Sequence, residues 1–290
     1  MRFVRRFLLV VIPVVAVAAA LLGFTRWQAG SPQADRDWAT DHAIAPRVEF
    51  RGDSAIVYGF RRFRHDSTGR YTARWDTTAI DLSRVDKVWF ALAPFGAPWM
   101  QAAHSFVTFG TTDSQYVSIS VEGRRERDET FTFANGLTRR LELLYVIGDE
   151  NDVLRQRVIA GGYDLYLYPV VSPVNRTREL LVQMLTRANA LRESPEHYDI
   201  VSNNCTSNLI AHVNSMIPGR VPNRIGTLIP GYSDRVAASI GLIDATGDAT
   251  TLRARFRVND LVRPLPDDDG FARALHTALN ERALRAEPAR

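Results

Sequence analysis

Residues 198–216 read YDIVSNNCTSNLIAHVNSM. Leu209, Ile210, Val213 and Met216 recur at helical spacing and Pro218 with Gly219 closes the stretch, so a helix is predicted from near Asn204 to Met216. Ser202, Asn203 or Asn204 can cap it, because a short polar side chain accepts a hydrogen bond from an unpaired amide of the first turn. Cys205 then falls in or beside that turn. There the free amides and the positive end of the helix favour thiolate over thiol, and the same amides can hold an oxyanion. Cys205 is the only cysteine, which excludes an intrachain disulfide framework and leaves either a buried filler beneath the cap or a thiol kept for chemistry.

A nucleophilic thiol needs a base. His104 is the first candidate: it sits on a predicted strand, 103–109, between the small residues Ala103 and Ser105, and the fold can bring distant partners together. His42 and His65 lie in polar segments, and His197 flanks the turn at Pro195. His212 is about two helical turns beyond Cys205, roughly 10 Å along the axis and too far for direct pairing. The imidazole needs an orienting group. Glu122, Ser120 and Ser118 on the next predicted strand are candidates, with Glu122 preferred unless Arg124 or Arg125 ties it up, and Asn203 and Asn204 can support the oxyanion region from the cysteine side.

Working outward, 54–60, 69–75, 85–92, 103–109, 116–122, 129–133, 141–147 and 163–170 read as strands, close enough in sequence for antiparallel pairing. Helices are expected over 149–158, from Pro173 to about Arg192, over 233–240 and from beyond Gly270 to about Leu284, with a loop over 221–230 and a strand over 251–258. The class is α+β: an antiparallel sheet with a nucleophile-bearing helix.

At the N-terminus Arg2, Arg5 and Arg6 precede an uncharged run over 7–24. Eighteen such residues make roughly 27 Å of helix, enough for the apolar thickness of a bilayer. The arginines imply a cytoplasmic N-terminus and hence an inner-membrane, single-pass protein with its C-terminal domain in the periplasm; a cleaved signal sequence is the alternative. The organisation expected is an anchor or signal over 1–25, a linker over 26–46 and one domain over 47–290.

The net charge of +4 includes the three arginines before the anchor and carries no nucleic-acid signature. Arg61, Arg62, Arg64 and His65 read as a solvated turn. Glu142, Asp149, Glu150 and Asp152 are acidic neighbours that could bind a cation, but they read better as a solvated helix start. No zinc-ligand spacing, phosphate loop or dinucleotide fingerprint is present, so neither metal nor cofactor is expected. Phe95, Trp99 and Met100 read as core packing or as the lining of a lipid cleft.

The strings AHSFVTF at 103–109, SISVEGRRE at 118–126, LELLYVIGDENDVLRQR at 141–157, DLYLYPV at 164–170 and YDIVSNNCTSNL at 198–209 resemble, in this order, the N-terminal periplasmic domain of the Lnb-type lipoprotein N-acyltransferases, over about 90–245. The resemblance implies a permuted papain-like (NlpC/P60-like) thiol fold, with Cys205 as nucleophile, His104 as base and Glu122 as an orienting or substrate-site residue. It implies acyl transfer in the cell envelope through an acyl-enzyme, on lipoprotein, phospholipid or peptidoglycan substrates. Acyltransferase members carry a multi-span region after this domain, and no such region follows Cys205 here, which brings in a membrane-protein partner. It also keeps two alternatives in view: a periplasmic amidase or peptidase, and a noncatalytic envelope-binding module.

Overall fold

The computed structural model describes residues 2–222, 229–244 and 249–286. Helix α1 (Arg2–Gln28) carries Pro13, and its segment Leu9–Gln28 is long and apolar enough to cross a membrane. Eight strands then form one sheet. β1 (Arg47–Arg51) and β2 (Ser54–Arg61) make a hairpin; β5 (Trp75–Asp81), β6 (Val85–Pro94), β7 (Ala103–Thr111), β8 (Tyr116–Arg124), β9 (Glu142–Asp149) and β10 (Tyr166–Pro169) complete it. The spatial order is β1-β2-β9-β8-β7-β6-β10, with β5 also on β2. β3 (Arg64–His65) and β4 (Tyr71–Thr72) pair separately.

All the pairings are antiparallel except β2 with β9, joined at Arg61 and Gly148. Glycine is required at that join, because a Cβ on Gly148 would stand 2.7 Å from the Arg61 carbonyl oxygen.

Alternation along β7 to β9 sends side chains to two cores. Val107, Phe109, Val117, Ile119, Leu143 and Tyr145 pack with Leu181, Met184 and Leu185 of α4 (Val174–Glu193) and Leu209 of α5 (Cys205–Met216). On the other face Phe106 and Trp89 pack with Val153 and Leu154 of α3 (Glu150–Arg155), Val262 of α8 (Asn259–Val262) and Phe271 and Leu275 of α9 (Phe271–Ala286). Each fully buried Leu, Val or Phe contributes about 1.5–3 kcal/mol. Helices α6 (Ser233–Ser239) and α7 (Ala249–Phe256) lie towards the β10 edge, where Ala237, Ala238, Leu252 and Phe256 pack with Leu92 and Tyr168. The molecule is thus a mixed α+β structure preceded by one apolar helix.

Several local expectations change. The stretch 251–258 is helical through Phe256, since Leu252 and Phe256 satisfy a helical spacing as well as an alternating one, and both face the same core. The strand expected over 129–133 does not form: Thr132 accepts from Asn135 N–H and caps α2 (Phe133–Leu137). The strand placed at 69–75 is only the two-residue β4, and the longer β5 follows because Thr78 and Ile80 supply the inward positions. Most of the loop expected over 221–230 lies outside the described residues. Residues 26–46 are held against the domain, with Trp38, Asp41 and His42 buried.

The charged stretches also change. Arg61 is 1% exposed and forms a bidentate pair with Asp152, at 2.8 and 3.0 Å, so it is not part of a solvated turn. Asp152 also accepts from the Phe63 amide and meets His65 Nε2 at 2.8 Å. The acidic neighbours are buried and partnered: Glu150 with His276, Glu142 with Arg36, Asp149 with Arg64 while capping α3. Among the described residues no group of three acidic, histidine or cysteine side chains is arranged to hold a metal.

Candidate active site

Helix α5 opens with Cys205 as its first residue. Asn204 is the cap: its side chain accepts from Ser207 N–H at 3.0 Å, and its own N–H donates to Ser207 Oγ at 2.8 Å. Asn208 N–H is the amide that returns to Asn204 O, so Cys205 and Thr206 precede the helix's own amide ladder. Asn203 is occupied elsewhere: its amide donates to Glu196 and His197 O, and its oxygen accepts from Asn208.

Cys205 belongs to the core on the α4/α5 face, whereas His104 stacks on Phe106 and shares the opposite face. They meet because two strands separate. The pairing of β7 with β8 ends at Phe106 and Ser120, while β7 continues to Ala103 against β6 and β8 continues to Arg124 against β9. The start of α5 reaches His104 and Ser105 at this parting.

A connected chain of polar groups runs from the thiol. His104 Nε2 lies 2.6 Å from Ser120 Oγ, and Ser120 donates to Glu122 Oε1 at 2.6 Å. With its own proton committed to the carboxylate, Ser120 accepts from His104 Nε2–H, which leaves Nδ1 as the ring nitrogen able to accept a hydrogen bond. Glu122 lies 3.5 Å from His104 directly and is paired with the Arg157 guanidinium. Burial alone would raise the Glu122 pKa, but Arg157, with His104 and His42 adding to it, holds the carboxyl well below its usual range.

Burial likewise disfavours the Cys205 thiolate, and the hydrogen bond and charge of His104, with the amide and hydroxyl of Ser105, outweigh it, bringing the thiol down to about 7. Near neutrality an appreciable thiolate fraction therefore stands beside an imidazole. His42, fully enclosed, is pushed down to about 4 by burial; its Nδ1 accepts from Arg125 N–H, so it stays neutral.

Of the sequence-nominated residues, Cys205, His104, Ser120 and Glu122 come together. Asn204 supports from beneath as the cap. Asn203 does not join, and Ser118 bonds to Thr108 instead. Arg124 and Arg125 leave Glu122 alone, engaging His42 O and Asp41 respectively. His65, His197 and His212 bind Asp152, Gly30 O and Tyr145.

Three neighbours escaped the sequence reading. Arg157 sits in the five-residue π-helical turn Gln156–Ala160 after α3. Ser105 flanks the thiol, bonding Thr206 at 3.1 Å. Tyr198 is held as a neutral phenol by burial and by the negative charge of Cys205 and Glu122. Arg157 lay inside a motif already singled out, 141–157, but only the fold sets it under β8.

A cavity of about 340 Å³ lies on the α5 side. Val107, Leu180, Leu209, Val213 and Ile243 make it apolar, and Ser105 and Thr206, the neighbours of His104 and Cys205, form part of its wall. Trp99 and Met100, read as core or lipid cleft, do not line it; they are exposed.

A family model described as the Lnb N-terminal periplasmic domain matches residues 71–230, more than half of the chain. The chain belongs to this family. The match takes in His104, Ser120, Glu122, Arg157 and Cys205, and with the apolar N-terminal helix it assigns the molecule a periplasmic, envelope-related role. No curated protein and no solved structure matches the chain.

Proposed function

We propose that the chain is a thiol enzyme of the cell envelope, with a permuted papain-like arrangement, in which Cys205 becomes acylated and passes the acyl group on. One observation carries this reading: a thiol brought down to about 7 at a helix start, joined through His104 and Ser120 to a carboxylate kept ionised by Arg157.

In the first step Cys205 gives its proton to His104 Nδ1 and the thiolate attacks an acyl carbonyl. The amides of Cys205 and Thr206, which precede the helix's own ladder, are the groups assigned to the developing oxyanion in this reading. His104 then protonates the leaving group as the old C–O or C–N bond breaks, leaving a thioester. An amine or water, deprotonated by His104, attacks the thioester and restores the thiol. The imidazolium formed midway is stabilised through Ser120 by Glu122, whose charge is already in place.

The apolar cavity beside Ser105 and Thr206 supports a hydrocarbon acyl group as the part transferred, from a lipoprotein or phospholipid. In this reading 1–25 anchors the chain in the inner membrane, 26–46 connects, 47–290 is one periplasmic domain, and a membrane protein can serve as partner.

The test is mass spectrometry of the full chain after exposure to diacylated lipoprotein. A mass increase of one acyl group on Cys205, absent in Cys205→Ala, is expected. Full turnover by Cys205→Ala would sink the proposal. Products with and without added amine separate transfer from hydrolysis, and unchanged ligand affinity in Cys205→Ser with no adduct in the parent would leave a binding module.

A further inference from the structure

The end of the apolar helix is clasped to the domain, and exposed apolar side chains lie near the clasp. Arg26, in the last turn of the span, bonds Leu137 O at 3.0 Å and Asp199 at 3.0 Å. Asp199 is buried and also holds Arg139 and the Val201 amide. Beyond the helix, Gly30 O meets His197 and Arg36 pairs with Glu142, so the chain stays attached over several residues.

Around this clasp Phe131, Phe133 and Val201 are exposed, and Phe133 and Val201 show more than half of their surface. Trp27 is exposed at the helix end, and Arg140 is exposed beside Arg139. A tryptophan at the end of a span, with apolar side chains beside it, is what the interfacial layer of a bilayer accommodates.

A span over Leu9–Gln28 is about 30 Å long, the thickness of the hydrocarbon, so Arg26 and Trp27 lie at the boundary. Whatever Arg26 touches is within one side chain's reach of that boundary. We infer that the face formed by Phe131, Phe133 and Val201 dips into the interfacial lipid, held there by the Arg26–Asp199 clasp. The occupant of this face is the bilayer itself. The thiol is close behind it: Phe131 packs edge-on against Tyr198 at 5.8 Å, and Tyr198 senses the charge of Cys205.

The experiment uses the full chain with Cys205→Ser, so its outcome is independent of thiol chemistry. Single cysteines replacing Phe133, Val201 or the exposed Ser67 in the β3–β4 turn are labelled with an environment-sensitive nitrobenzoxadiazole dye. The proteins are reconstituted in phosphatidylcholine/phosphatidylglycerol vesicles carrying spin-labelled acyl chains. At least twofold stronger lipid quenching at 133 and 201 than at 67 is expected, falling to the level of 67 when Arg26→Gln is added while the chain still floats with vesicles. Equal quenching at all three positions overturns the inference. So does shielding from aqueous iodide without lipid quenching, which would put a protein on this face. Quenching indifferent to Arg26→Gln overturns the clasp.

Discussion

Two buried clusters in this molecule have the same ingredients. One joins Arg61, Asp152 and His65; the other joins Arg157, Glu122 and His104. In the first, both oxygens of Asp152 are consumed by Arg61, the Phe63 amide and His65, and the imidazole packs beside Phe63 and Tyr71. In the second a hydroxyl is interposed, the imidazole is partly exposed and it interacts with the Cys205 thiol. In the proposed reading an arginine, a carboxylate and a histidine serve chemistry where the last member has a thiol beside it, whereas in the first cluster the same set joins strand to helix.

The comparison breaks first on stability. Asp152→Ala strands the enclosed Arg61 guanidinium and is expected to cost about 3–5 kcal/mol in urea unfolding. Provided the variant folds, the pH dependence of Cys205 alkylation stays where it was. A loss below about 1 kcal/mol would mean the first cluster is not the brace described.

His104→Ala should do the reverse. Alkylation of the parent rises through a midpoint near pH 7, the anionic form being the reactive one, and falls about tenfold per unit below it. Without the imidazole the effect of burial is left unopposed and the midpoint moves up to about 8.5 or beyond, cutting the rate at pH 7 by at least about tenfold, about 1.4 kcal/mol. A midpoint that does not move removes the coupling between the two residues.

Ser120→Ala sharpens the contrast further, since it removes the interposed hydroxyl and leaves Glu122 and Arg157 paired. The expected change is smaller, about 0.5–1 kcal/mol in acyl-enzyme formation, with the thiol midpoint raised by less than in His104→Ala. An effect as large as that of His104→Ala would mean Ser120 acts as more than a bridge.

Acid provides a separate probe. His42 is neutral when folded and is pushed down to about 4, so in the unfolded chain it takes up a proton as pH falls below about 6.5. Stability fully present above 6.5 is lost progressively towards 4. His42→Gln should flatten that part of the profile, read as urea midpoints between pH 7 and 4. An unchanged slope would assign the acid sensitivity to other groups.

Much of this was legible in the sequence because it is written locally. The cap and apolar stripe of 204–216 place Cys205, and alternation places His104 and Glu122 on neighbouring strands. The alternating sequence over 251–258 misled because Leu252 and Phe256 fit either period. Arg61 read as solvated because nothing within its own stretch announces Asp152, and Arg157 was silent because its importance depends on how a π-helical turn packs under a strand. The parting of β7 from β8 left no mark in either strand, since each keeps a partner on its outer side.

That parting ties the reactive group to the last stages of maturation. His104 and Cys205 are separated by about a third of the chain, so they come together only when strand β7 and helix α5 have packed. During export the emerging polypeptide thus carries an ordinary thiol, slow towards electrophiles and oxidants, and the thiol is brought down to about 7 only once the tertiary structure sets His104 beside it.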